Sequence, residues 1–104
     1  FAVLIHKFSL RIPREYKFEL ADQIRRASRS IPSNMAEGFG RGKSSRDTIN
    51  HLRDALGSND EMLFNIEFLK DVELISEQIF REMFDEYTIV GKELFNLIKK
   101  LESN

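Results

Sequence analysis

The stretch Gly38-Phe39-Gly40-Arg41-Gly42-Lys43-Ser44 is the part of the chain where residue types and spacing come nearest to chemistry. Glycine amides beside Arg41 and Lys43, followed by a helix N-terminus, can receive a phosphate group. The stretch is not a nucleotide-binding Walker loop. That loop needs a glycine five residues before its Gly-Lys-Ser, where this chain has Glu37, and it follows a strand, whereas a helix precedes it here. The expectation is a glycine turn between helices that binds no nucleoside triphosphate. His6 and His51 are the two histidines, and they fit neither a His-Glu-x-x-His pattern nor the paired Glu-x-x-His of di-iron bundles. The chain has no cysteine, hence no thiolate nucleophile, disulfide or cysteine zinc site. Its carboxylates are scattered at helix-surface spacing, and no serine has a base and an orienting partner marked by sequence. The reading is a non-enzyme with no metal and no cofactor.

A second kind of chemistry is phosphate recognition by arginine. Arg25, Arg26 and Arg29 cluster on one predicted helix, and Arg41, Lys43 and Arg46 follow across the turn. Guanidinium forks suit phosphate oxygens, so these six residues are the candidate nucleic-acid-binding set. Phe39 alone interleaves with them as an aromatic, which does not signal base-by-base reading of a single strand. The competing reading is structural: Arg26, Ser30, Ser33 and Glu37 form a polar stripe whose charges pair with a neighbouring helix or subunit. Residues 1–53 carry 11 Lys and Arg against 5 Asp and Glu, while residues 54–104 carry 5 against 12. A net charge of −1 therefore hides a strongly polar molecule. Such separation suits an anionic partner for the basic half, association of unlike faces between copies, or pairing of basic with acidic helices inside one copy.

The elements that position these residues are helical nearly throughout. Hydrophobic residues at 41% and charged residues at 32% exclude the disordered class, and no apolar run approaches a membrane span. With 104 residues the chain is one domain. Phe1, Leu4, Ile5, Phe8 and Ile12 recur at helical spacing before Pro13. Leu20, Ile24, Ala27, Ile31 and Met35 mark a second helix, which Pro32 is expected to kink or divide. Ser44 and Ser45 cap a third helix and Ser76 a fourth. Taking Ile66 as the core direction, Leu52, Ala55, Asn59, Met62, Leu63 and Leu69 fall within about 60° of it. In the fourth helix, Phe80, Tyr87, Leu94 and Leu101 form one heptad series and Met83, Val90 and Leu97 the next. The predicted fold is all-α, an antiparallel up-down-up-down four-helix bundle, with helices near 1–12, 15–39, 45–70 and 76–102. Because the chain opens on Phe1 already in helical periodicity, the N-terminal part of helix one is expected to be missing. No signal peptide is read, and the expected location is cytoplasmic.

One face does not suit a monomer. Phe64 and Phe68 both lie about 160° from the Ile66 direction, with Gly57 on the same side. Gly57, Phe64 and Phe68 are therefore the candidate oligomer interface, the alternative being cover from a bundle neighbour or from the N-terminus.

The run from Gln23 to Arg41, Gln-Ile-Arg-Arg-Ala-Ser-Arg-Ser-Ile-Pro-Ser-Asn-Met-Ala-Glu-Gly-Phe-Gly-Arg, together with Ala55-Leu-Gly-Ser58 and Pro13, resembles the signature of a bacterial family. These are the four-helix-bundle proteins encoded in intervening sequences of 23S ribosomal RNA genes, often labelled ribosomal proteins. The accessory variability protein of diversity-generating retroelements is similar. The resemblance covers nearly the whole chain, with Arg25, Arg26, Pro32, Asn34, Glu37, Gly38 and Arg41 as the matching positions. It implies a four-helix bundle, commonly a homopentamer. For the retroelement relative it implies nucleic-acid binding and partnership with a reverse transcriptase. The reading is thus an oligomeric module, itself its own first partner, with RNA or a nucleic-acid enzyme such as a reverse transcriptase as the further one and no membrane association. The alternative is a structural or protein-interaction module without a nucleic-acid role.

Overall fold

The computed structural model describes residues 14–40 and 44–103. Among these residues there are three helices and no strand: α1 (Arg14–Gly38), α2 (Ser45–Asp71) and α3 (Glu77–Glu102). They correspond to the second, third and fourth predicted helices. The expected helix 1–12, with Pro13 and His6, lies outside the described residues, so three helices stand where four were predicted.

Pro32 does not divide α1, which runs unbroken for 25 residues. An interior proline costs a helix about 3 kcal/mol. Ile24, Ala27 and Ile31 are buried ahead of it, and Met35 packs on the same core beyond it, so tertiary packing on both sides holds the helix together. Pro32 itself is exposed.

Both predicted caps are present. The Ser44 hydroxyl accepts from the Asp47 amide at 3.1 Å, and the Ser76 hydroxyl accepts from the Ile79 amide at 3.1 Å. Each satisfies one of the amides that a helix start leaves without an intrahelical partner. At the other end of α2 the Leu74 amide donates to the Leu69 carbonyl and the Glu73 amide to that of Lys70, both at 2.9 Å. This is a Schellman termination, and it puts Glu73 in the left-handed region with φ of 60°. Leu74 packs against the core cluster that includes Leu69, where this cap commonly carries a hydrophobic contact.

Helix α2 lies between α1 and α3 and packs against both. Ser58 bonds to Ser30 and His51 lies against Asn34, so α1 and α2 run antiparallel; Asn59 bonds at Tyr87 and Arg53 pairs with Glu102, so α3 runs back again. The buried side chains form two clusters. Leu20, Ala21, Ile24, Ala27 and Ile31 meet Met62, Ile66, Leu69, Met83 and Tyr87 in the larger one, while Leu52, Ala55, Leu94 and Ile98 form the smaller. Asn59 is fully buried between them in sequence, with its Nδ2 donating to the Tyr87 carbonyl at 2.7 Å. Its Oδ1 has no partner among the described residues. Gly91 makes room for this amide: a Cβ there would stand 3.0 Å from Asn59 Nδ2. Burial also pushes the Tyr87 phenol above its ordinary pKa.

Two predictions of core membership change. In α3 the fully covered residues are Met83, Tyr87, Leu94 and Ile98, whereas Phe80, Val90, Leu97 and Leu101 are half-covered. A straight helix turns every 3.6 residues, so a strict heptad reading drifts and misses Ile98. In α2 Leu63 is half-buried and Asn65, outside the predicted stripe, is buried.

Candidate functional site

The helix pair α1–α2 is joined by a ladder of polar contacts built from the residues that carry the sequence signature. The Ser58 hydroxyl donates to Ser30 Oγ at 2.7 Å. Asn34 Nδ2 donates to the same oxygen and to the Ser30 carbonyl, both at 2.9 Å. On its other side Asn34 Oδ1 lies 3.4 Å from His51 Nδ1. One rung further, the Thr48 hydroxyl donates to the Gly38 carbonyl at 2.6 Å. Gly38 is required by this approach: a Cβ would meet His51 Cβ at 3.1 Å and the Thr48 carbonyl at 3.4 Å. Ser30, Asn34 and Gly38 therefore clamp α2 onto α1. His51 belongs to the clamp, and no group of metal-binding side chains occurs among the described residues.

The candidate arginines surround this clamp without forming one patch. Arg26 and Arg29 are exposed and Arg25 is half-buried on α1. Arg26 Nε lies 3.2 Å from Asp22 one turn earlier, and Arg29 Nε donates to the Arg25 carbonyl at 3.3 Å. An exposed pair of this kind is worth little and leaves the guanidinium able to exchange its partner for a phosphate. Arg46 is exposed in the first turn of α2. At 1.5 Å per residue, Arg26 stands about 18 Å along α1 from the turn end that carries Arg46. Arg41 and Lys43 lie outside the described residues. Arg53, further along α2, is tied to Glu102 of α3.

On the outward side of α2 the predicted aromatic pair separates. Phe64 is 70% exposed. Phe68 is half-buried against the larger core cluster, at the end of the molecule where α2 meets the connection carrying Leu74 and Ile75. A wheel drawn from one core direction omits that convergence. Gly57 is exposed, with nothing within 4 Å of the position a Cβ would take. The surface neighbours of Phe64 at helical spacing are Asp60, Glu61, Glu67 and Phe68, and the three carboxylates are all exposed.

Two grooves flank this face. One, of about 510 Å³ between α2 and α3, is lined by Leu56, Leu63, Gly91 and Phe95, with Asp60 and Lys92 at its rim. The other, of about 340 Å³ between α1 and α2, is lined by Gln23, Arg26, Ala27, Ser30, Ser58 and Glu61. Sequence reading missed Phe95, 51% exposed, and Phe18, 82% exposed on α1. The angular test applied to α2 would have placed both off the core stripes of their own helices.

No described helix is long and apolar enough to cross a membrane. Residues 1–96 match the family described as 23S rRNA-intervening sequence protein. A crystal structure of a protein with unknown function from the S23 ribosomal protein family of Bacteroides thetaiotaomicron VPI-5482 is similar to this chain. Its identity is 29% and its TM-score 0.82, over 95% of this chain and 88% of that one. Among curated proteins none matches.

Proposed function

The chain belongs to the 23S rRNA-intervening sequence protein family, and from that premise we propose that it is a non-enzymatic, self-associating helical module that presents a basic surface to RNA. The helical periodicity read in the sequence of residues 1–12 supports the four-helix bundle that the family resemblance implies. Copies meet through Gly57 and Phe64, with Phe68 at the edge of the contact, and the resemblance suggests five of them. The observation that carries self-association is Phe64, left 70% exposed on a helix whose opposite face is fully packed. Removing one phenylalanine from water is worth about 1.5–3 kcal/mol, gained once per subunit at a repeated interface.

RNA contact is supported by the separation of charge along the chain. Arg25, Arg26, Arg29 and Arg46, with Arg41 and Lys43 in the turn, supply guanidinium and ammonium groups to phosphates. The test is titration of a structured RNA at several salt concentrations, followed by fluorescence anisotropy. Affinity falls steeply with salt, and Arg26→Ala or Arg46→Ala each lowers the slope of log K against log salt by about 1 if that residue neutralises a phosphate. Absence of binding at low salt, or binding indifferent to these substitutions, leaves a protein-interaction module without a nucleic-acid role.

A further inference from the structure

The polar groove between α1 and α2 brings hydrogen-bond donors and a carboxylate to one place. Gln23, Arg26, Ala27 and Ser30 of α1 line it with Ser58 and Glu61 of α2. Its volume of about 340 Å³ lies at the lower end of the range for small-ligand sites. Arg26 meets Asp22 through Nε, and this exposed contact leaves the outer guanidinium fork able to take another partner. Glu61 shares the groove with Arg26, yet it forms no ion pair or hydrogen bond among the described residues.

The walls of the groove meet at Ser30 and Ser58. Their hydroxyl oxygens stand 2.7 Å apart, and Asn34 Nδ2 also donates to the Ser30 oxygen at 2.9 Å. Only one of the two hydroxyl hydrogens can lie between the oxygens. The other has no acceptor among the described residues, so the pair keeps one donor to offer.

A ligand that satisfies this groove accepts hydrogen bonds on one edge and donates them on another. A bare phosphate has acceptors for Arg26 and the hydroxyl, but the Glu61 carboxylate repels it. A planar base with both kinds of edge meets both demands. A carboxylate accepts best from two N–H groups side by side, and among the RNA bases guanine alone presents such a pair, at N1 and at the N2 amino group. The same base carries acceptors at O6 and N7, to which an arginine fork or a hydroxyl donates. Ala27 adds a methyl group to the lining for the apolar face of the ring.

We propose that the α1–α2 groove is a guanine-binding site. Glu61 accepts from N1–H and the N2 amino group, while Arg26 and the free serine hydroxyl donate to O6 and N7. The base comes from an unpaired guanosine in RNA, whose edges are open to side chains, or from a free guanine nucleotide. Only the RNA source rests on the RNA reading above. It adds a base preference to that reading, giving Arg26 to the base and leaving Arg46 and the turn to phosphates.

The test uses the 104-residue chain and a set of labelled hairpin RNAs that differ at one unpaired loop position: guanosine, inosine, adenosine, cytidine or uridine. Inosine lacks only the N2 amino group of guanosine. Anisotropy titrations at one salt concentration should show the guanosine hairpin bound about tenfold more tightly than the adenosine hairpin, with inosine between them. Glu61→Gln and Arg26→Lys, both at exposed positions, should remove this preference while the helical circular dichroism stays unchanged. Equal affinity for all the hairpins overturns the guanine site and leaves the RNA reading standing. A carboxylate that merely lies near RNA gives the opposite sign, because Glu61→Gln then tightens every hairpin alike. That result, or a guanosine preference that survives both substitutions, also overturns the site. The second arm is nuclear magnetic resonance of the Gln23 side-chain amide with guanosine monophosphate and adenosine monophosphate. If no hairpin binds but guanosine monophosphate alone shifts this signal, the site stands with a free nucleotide as its source and the RNA reading fails. Silence in both arms overturns the site.

Discussion

Replacing Gly91 by alanine should change sign with the residue facing it. Alanine in a helix interior is favoured over glycine by about 1 kcal/mol. Set against that gain is the position of the new methyl group, 3.0 Å from Asn59 Nδ2. Asn59 is fully buried and its amide is held at 2.7 Å by the Tyr87 carbonyl, so it has no room to withdraw without breaking that bond. Its Oδ1 already lacks a partner among the described residues, and displacement would leave both ends of the amide unsatisfied. A buried donor left unpaired costs about 1–3 kcal/mol. The balance for Gly91→Ala is a destabilisation of about 1 kcal/mol, or a fall in Tm of about 4 °C. In an Asn59→Ala background the obstruction is gone, and the same substitution should stabilise by about 1 kcal/mol. Urea unfolding of the four proteins, at one fixed protein concentration so that assembly does not shift the comparison, gives the coupling directly. If Gly91→Ala stabilises equally in both backgrounds, the close approach of α2 and α3 at this layer is wrong.

Glu73 holds a left-handed conformation at the end of α2, and Glu73→Gly should stabilise the fold by about 0.5–1 kcal/mol, read by the urea midpoint. Gly38→Val forces side-chain bulk into the His51 and Thr48 contact and should lower stability by about 1–3 kcal/mol, with loss of the α1–α2 clamp seen as faster amide exchange around Thr48. The raised pKa of Tyr87 makes stability pH-dependent on the alkaline side. The folded state favours the neutral phenol, so the contribution is whole below the unfolded value near 10 and is lost as pH rises through the higher folded value. Tyr87→Phe should remove that part of the alkaline decline in a series of unfolding curves.

Local signals carried most of the helical layout. Ser44 and Ser76 were readable as caps because a cap is chemistry between residues three apart in sequence. The α2 stripe was readable, Asn59 included, because one helix with one core direction obeys a simple periodicity. What escaped came from contacts between elements. Ile98 is buried because α3 follows the 3.6-residue turn and not the heptad, and Phe68 is half-covered because several elements converge at its end of α2. The clamp of Ser30, Asn34, Ser58 and His51 could not be seen from any one helix, since each member is an ordinary polar residue on its own. Charge alone groups the candidate arginines in sequence, whereas the rise of α1 sets Arg26 about 18 Å from the turn end of that helix.

The account turns on whether the exposed face of α2 holds copies together. Light scattering of the 104-residue chain at tens of micromolar, beside Phe64→Asp alone, tests this most directly. Phe68 is left intact because it supports the core. The account predicts an oligomer for the parent and a smaller particle of unchanged helicity for Phe64→Asp. A parent that is monomeric, or a Phe64→Asp variant that keeps the parent's mass, contradicts it.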